Sequence, residues 1–153
     1  MIREIPAEQQ TAIGLRRWLL LLVLLGMLGT AADLLLLEHY HDVGQLAPLA
    51  LITIGLPIAG LAWAGGRYAV LILRIWMVLF VFTGAIGIVL HYNGNMAFQK
   101  EIDPSQQGWP LFVAIVRAKA PPALAPAAMI QLGLLGLAFT YRHPALSLSG
   151  GRT

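Results

Sequence analysis

The chain has 153 residues and a formal net charge of +3, and it is 58% hydrophobic but only 11% charged. Because soluble domains carry roughly 25% charged residues, this composition excludes an ordinary soluble domain and predicts an integral membrane protein. The sequence contains no cysteine, which excludes disulfides, thiolate metal ligands and cysteine nucleophiles. Its basic residues lie at predicted helix ends rather than in one patch, so we expect no nucleic acid partner.

Four apolar segments are predicted to cross the membrane within a single integral membrane domain that covers 1–153. The first contains an apolar run of 20 residues, 18–37. At about 1.5 Å per residue this run spans roughly 30 Å, the thickness of the hydrocarbon core. It is also longer than the 7–15-residue apolar region of a signal peptide, so we expect it to stay in the mature protein. The four predicted transmembrane helices are about 15–39, 46–64, 68–91 and 122–141.

A long connection lies between the third and fourth predicted helices. Asp103 followed by Pro104 is typical of a helix start, with a cap residue before a first-turn proline. The following apolar stretch has only about ten residues, too few to span the bilayer. We therefore predict an amphipathic helix at about 103–120 on the outer face. The predicted fold class is an all-α membrane protein, a four-transmembrane-helix bundle with this extra helix.

The distribution of lysine and arginine predicts the orientation. With both termini inside, seven basic residues lie on the inner side and three on the outer side: Arg3, Arg16, Arg17, Arg67, Arg74, Arg142 and Arg152 against Lys100, Arg117 and Lys119. This bias favours a bacterial inner (plasma) membrane protein with its N- and C-termini inside. Five of the seven acids and three of the four histidines then face outward.

A polar pair is predicted near the outer surface. Asp33 lies 16 residues after Arg17, and His91 lies 17 residues after Arg74, so both are about 24–26 Å above the inner interface. Each follows a stripe of small residues, which predicts contact between the first and third helices. A membrane-embedded acid needs a partner, and His91 is the best one for Asp33. The alternative is that Asp33 reaches water near the outer surface.

Glu38 and His41 have the i,i+3 spacing with which helix bundles present a carboxylate and an imidazole to one metal. Together with His91 they form a candidate site for zinc, copper or iron. Asp33 would orient His91 from behind, and His39 and Asp42 are alternative ligands. Haem, held by His91 with His39 or His41, is a less favoured cofactor. The alternative is an ordinary belt of polar and aromatic residues at the interface.

Three functions follow from these patterns, and none assigns catalytic residues. The leading hypothesis is a small membrane protein with an outward metal site. The second is an accessory or scaffold subunit of a larger membrane complex, with partner subunits or a second copy packed on it in the lipid bilayer. The third is a haem-binding or proton- or ion-conducting protein. Gln131, near mid-membrane, is expected to hydrogen-bond a neighbouring helix.

Overall fold

The structure, a computed structural model, describes residues 6–118 and 124–147. These residues form helices and turns and contain no strand. The helices are α1 Ala7–Leu36, α2 Val43–Trp63, α3 Arg67–Ile102, α4 Gly108–Val116 and α5 Ala127–Thr140, followed by a short 3₁₀ turn at Pro144–Leu146.

Three of these helices, α1, α2 and α3, are long and apolar enough to cross a membrane. The predicted all-helical fold is therefore confirmed for the described residues, with three helices that could span a membrane. α5 is apolar but has 14 residues, roughly 21 Å, which is shorter than the hydrocarbon core. The first two residues of the predicted fourth span, at 122 and 123, lie outside the described residues.

The helices contact one another around a ring: α1 packs on α2 and α5, and α3 packs on α2 and α5. The predicted packing of the first helix against the third is wrong. The small residues that precede Asp33 on α1 and His91 on α3 contact α5 instead. Gly26 on α1 faces Leu132, while Gly84 and Gly87 on α3 face Pro126, at the start of α5. The sequence prediction failed because small residues indicate that a helix packs closely but do not indicate which helix it packs against.

The α3–α5 contact is the most extensive between two helices in the described structure, and α5 also brings glycines to it. A Cβ on Gly133 would lie 2.7 Å from the Met77 carbonyl oxygen, and a Cβ on Gly136 would collide with the Met77 side chain. Met77 itself is fully buried. The two backbones approach closely only because these positions carry no side chain.

A tryptophan joins α3 to α2. The indole Nε1 of Trp76 donates a hydrogen bond of 2.9 Å to the Leu51 carbonyl. Gly55 makes room for it, since a Cβ there would lie 2.8 Å from the same nitrogen. The bond satisfies the single polar atom of a large apolar side chain, as a half-buried indole requires.

Several predicted helix bounds are corrected. α1 begins at Ala7 rather than about residue 15, and it ends at Leu36 rather than 39. α3 continues to Ile102, past the predicted end at 91, because no proline interrupts it before Pro104.

The predicted amphipathic helix at 103–120 is shorter than expected. α4 has nine residues, and positions 119 and 120 lie outside the described residues. Asp103 does not start it: Asp103 ends α3, and its carboxylate accepts hydrogen bonds from the Ser105 backbone N–H (3.0 Å) and hydroxyl (2.6 Å). These bonds lower the pKa of Asp103 below its ordinary value. The Asp-Pro pair therefore forms a turn rather than a helix start.

Candidate functional site

The metal ligands predicted from the sequence lie at one end of the bundle, which we call the histidine end (Glu38, His39, His41 and His91). His41 Nε2 and Glu38 Oε2 are 3.8 Å apart, with their side chains 68% and 73% exposed. The rings of His39 and His91 have centres 6.0 Å apart. Two neighbouring pairs thus form here, rather than the predicted triad.

The backbone explains why Glu38 and His41 are not on a helix face. Glu38 has a φ of 53°, in the left-handed region. The His39 N–H donates to the Leu34 carbonyl (2.8 Å) and the Glu38 N–H to the Leu35 carbonyl (3.1 Å). These two bonds form the Schellman motif that ends helices. The Glu-x-x-His spacing therefore falls on a turn.

The remaining predicted site residues have other surroundings. Asp33 is exposed on α1, and no hydrogen bond or ion pair joins it to His91. Asp42 caps α2: its carboxylate accepts a 3.0 Å hydrogen bond from the Gln45 backbone N–H. In return, the Gln45 side chain accepts from the His41 backbone N–H at 2.9 Å. Asp42 thus has a structural role at the start of α2.

No group of three or more His, Asp or Glu side chains within residues 6–118 and 124–147 is placed to hold a metal ion. The described geometry therefore does not support a metal site in this conformation. Glu38, His41 and His91 would have to move together before they could share one ion, because direct bonds to zinc are only about 2.0–2.2 Å.

The opposite end of the bundle, which we call the arginine end, was not predicted as a site. Arg74 on α3 donates from Nε to the Thr140 hydroxyl (3.3 Å) and from Nη2 to the Thr140 carbonyl. Arg16 on α1 donates from Nη2 to the Arg142 carbonyl (3.1 Å). Arg74 thus bonds the carbonyl of the last residue of α5, at the negative end of the helix dipole. Arg16 bonds a carbonyl two residues beyond that helix.

A cavity of about 200 Å³ lies beside these bonds. Arg16, Arg17 and His143 line it together with apolar and aromatic side chains that include Trp63 and Phe139. Burial lowers the pKa of His143, and the nearby positive charges of Arg16 and Arg74 lower it further.

The His143 ring also has a defined hydrogen bond. Its Nδ1 accepts from the Ala145 backbone N–H at 3.2 Å. The neutral ring therefore carries its proton on Nε2, which remains a donor.

The arginine end has no neutralising partner among the residues that the structure describes. The Glu38–His41 ion pair of the described residues lies at the other end of the bundle. Glu8, on α1, precedes Arg16 by eight residues, or about 12 Å along the helix. Positive charge therefore accumulates around the cavity.

A third feature is a shallow groove of about 460 Å³ along α5, lined by Ala127, Ile130, Gln131, Leu134 and Leu135. Gln131 is exposed in it, and no hydrogen bond joins its amide to another described residue. The expected bond to a neighbouring helix is therefore not formed among the residues that the structure describes. The side chain instead faces outward from an apolar surface.

Comparison with protein-family models, curated proteins and solved structures found no match.

Proposed function

We propose that this protein is a membrane assembly subunit without catalytic chemistry of its own, and that its α5 groove binds the same groove of a second copy. The observation that carries this proposal is the outward-facing Gln131 amide in an apolar groove. The proposal corresponds to the scaffold hypothesis, with the partner specified as a second copy of the chain.

The depth of Gln131 supports this role. It lies nine residues before Thr140, the last residue of α5, so the amide is about 14 Å from that end of the helix, close to half the thickness of the hydrocarbon core. An amide left without a hydrogen bond in lipid is unfavourable, and hydrogen bonds between helices relieve it by about 0.6–2 kcal/mol.

The chemistry of the amide favours a second copy over an unrelated helix. A glutamine side chain has both donors and an acceptor, so two Gln131 amides related by a two-fold axis satisfy each other. The flanking residues Ile130 and Leu134 provide an apolar contact on each side. Ala127, which is small, lets the two helices approach closely.

Single-cysteine variants test this directly because the chain has no cysteine of its own. Leu134→Cys places a reporter in the groove with Gln131 intact, and Leu25→Cys on α1 is the control, since both native side chains are exposed (55% and 64%). In membranes, we expect oxidation to cross-link Leu134→Cys several-fold faster than Leu25→Cys. Adding Gln131→Leu should slow the cross-linking of the Leu134→Cys variant.

Equal cross-linking of the two single variants would overturn the second copy as the partner. Cross-linking of Leu134→Cys only to a different protein would also overturn it. That second result would instead favour an accessory subunit of a larger complex.

Metal binding at the histidine end remains a second proposal, supported by the meeting there of two pairs, Glu38–His41 and His39–His91. In this proposal the turn after α1 rearranges so that Glu38, His41 and His91 bind zinc, copper or iron. The metal content of the purified protein tests it, with His91→Ala expected to abolish binding and His143→Ala to leave it unchanged. A Soret band in the absorption spectrum would indicate haem instead, and the absence of both signals would remove the proposal.

We also propose that the arginine end faces the inside of a bacterial inner membrane, with the N- and C-termini inside. The support is the excess of arginine at that end, since cytoplasmic loops carry more lysine and arginine than exported ones.

A further inference from the structure

We infer that the cavity at the arginine end is a binding site for a phosphate group, and that Arg16, Arg17 and His143 contact it. This site is separate from the α5 groove, so the inference goes beyond the assembly role and does not depend on it.

The first argument is charge. The cavity is lined by two arginines, Arg16 and Arg17, and the positive charge of Arg74 also acts on His143 in its wall. None of the three forms an ion pair with a described carboxylate. Grouping positive charges without a counter-ion is unfavourable at a surface of reduced dielectric constant. A bound anion would remove this repulsion.

The second argument is the set of available donors. The guanidinium of Arg16 has five N–H groups, and its bond to the Arg142 carbonyl uses one of them. That same bond holds the group in place, so less side-chain entropy is lost on binding an anion. Arg17 has no hydrogen bond to the described chain, and His143 keeps its Nε2 donor. Planar guanidinium groups bind phosphate oxygens in pairs, which suits them to this ligand.

The third argument is position. Arg17 directly precedes the apolar run that begins at Trp18, so the cavity lies where α1 enters the hydrocarbon region. Lipid phosphates are found at this depth, and basic pockets between membrane helices bind anionic headgroups. Trp63 and Phe139 give the cavity an apolar side against which the glycerol part of a lipid would pack. At about 200 Å³ it is several times larger than the roughly 30 Å³ of one water.

The test uses the full-length protein in an uncharged, phosphate-free detergent. The probes are phosphatidylglycerol, phosphatidylcholine and inorganic phosphate, with binding measured by native mass spectrometry. The variants are Arg16→Gln and Arg17→Gln. Arg67→Gln is the matched control, because Arg67 is at the same end but does not line the cavity. We expect Arg16→Gln and Arg17→Gln each to bind phosphatidylglycerol at least ten-fold more weakly than the original protein, and Arg67→Gln to bind it equally well.

Arg17→Gln keeps the proposal testable if Arg16→Gln does not fold, since Arg17 has no hydrogen bond to the described residues. Phosphatidylglycerol should bind more tightly than phosphatidylcholine, whose choline adds a positive charge. Comparable affinity for inorganic phosphate would support the site and assign it to a soluble anion. An equal loss in Arg67→Gln would overturn the inference, because attraction would then come from net charge alone. No loss in Arg17→Gln would also overturn it, because Arg17 would then not contact the phosphate.

A second readout follows the His143 ring by NMR. Arg16 and Arg17 from α1, Arg74 from α3 and the adjacent Arg142 are the charged groups around it. Without ligand, the pKa of His143 should lie below 6.5, since burial and the arginines disfavour the charged ring. Phosphatidylglycerol should raise this pKa because it places negative charge beside the imidazole. An unchanged pKa during saturating binding would mean that the lipid binds elsewhere.

Discussion

Glu38 holds the most unfavourable backbone conformation at the histidine end, with a φ of 53°. The position after a helix end that needs this left-handed conformation is usually glycine. For a residue with a Cβ the conformation is unfavourable by about 1–2 kcal/mol. The surrounding hydrogen bonds, from His39 to Leu34 and from Glu38 to Leu35, hold it in place. The strain therefore comes from ending α1 without a glycine.

Glu38→Gly should therefore stabilise the protein, by about 1 kcal/mol relative to Glu38→Ala. Both variants remove the carboxylate, so their difference in the free energy of unfolding reports only the backbone. The Glu38 side chain is 73% exposed, and we expect its truncation to alanine to change stability little. Equal stability of the two variants, in denaturation of the detergent-solubilised protein, would contradict a left-handed residue at this position.

At the scale of the helices, the α3–α5 contact is made by backbone approach rather than by interlocking large side chains. Gly84 on α3 and Gly133 on α5 each face the backbone of the other helix, at 2.7–2.9 Å from the position of an added Cβ. A flexible side chain could turn away from a methyl group, whereas a helix backbone cannot. Adding a single methyl group at either glycine should therefore shift α5 relative to α3.

Gly133→Ala should destabilise the protein by about 1–3 kcal/mol, because the new Cβ overlaps the Met77 carbonyl and one helix has to shift. Gly29→Ala is the matched control: an added Cβ at this α1 position meets nothing within 4 Å, and alanine favours helix by up to about 1 kcal/mol. Thermal unfolding of both variants in the same detergent measures the difference. A loss in Gly29→Ala as large as in Gly133→Ala would show that any glycine replacement is harmful and that the close contact is not responsible.

For the whole molecule, hydropathy predicted the three long helices because length and apolar composition are enough to recognise a membrane span. It did not predict their neighbours, since α1 and α3 are apolar on nearly every side and most of their large side chains are exposed. The predicted ends of α1 and α3 were also wrong, because the residues that usually end a helix, such as glycine or proline, are absent at the positions concerned. α1 ends at a left-handed glutamate instead of a glycine, and α3 passes His91 without a break.

The candidate sites, like the helix neighbours, could be predicted only in part from the sequence. The Glu38–His41 spacing correctly indicated two neighbouring side chains, but the turn between them removed the helix face on which the metal hypothesis depended. The arginine end brings together residues far apart in the chain: Arg16 and Arg142 are 126 positions apart. One signal could have indicated it, namely Arg74 within an apolar run, whose guanidinium bonds to Thr140.

The two ends of the molecule should lie on opposite sides of the membrane, and single cysteines can establish this. Gly66→Cys lies in the turn between α2 and α3, at the arginine end, and Gln107→Cys precedes α4, beyond the histidine end; both native residues are exposed. Neither change alters the count of lysine and arginine that sets the orientation. A membrane-impermeant maleimide added to intact cells should label Gln107→Cys and should label Gly66→Cys only after permeabilisation. The reverse pattern would place the arginine end outside, and labelling of both in intact cells would be incompatible with α3 as a membrane span.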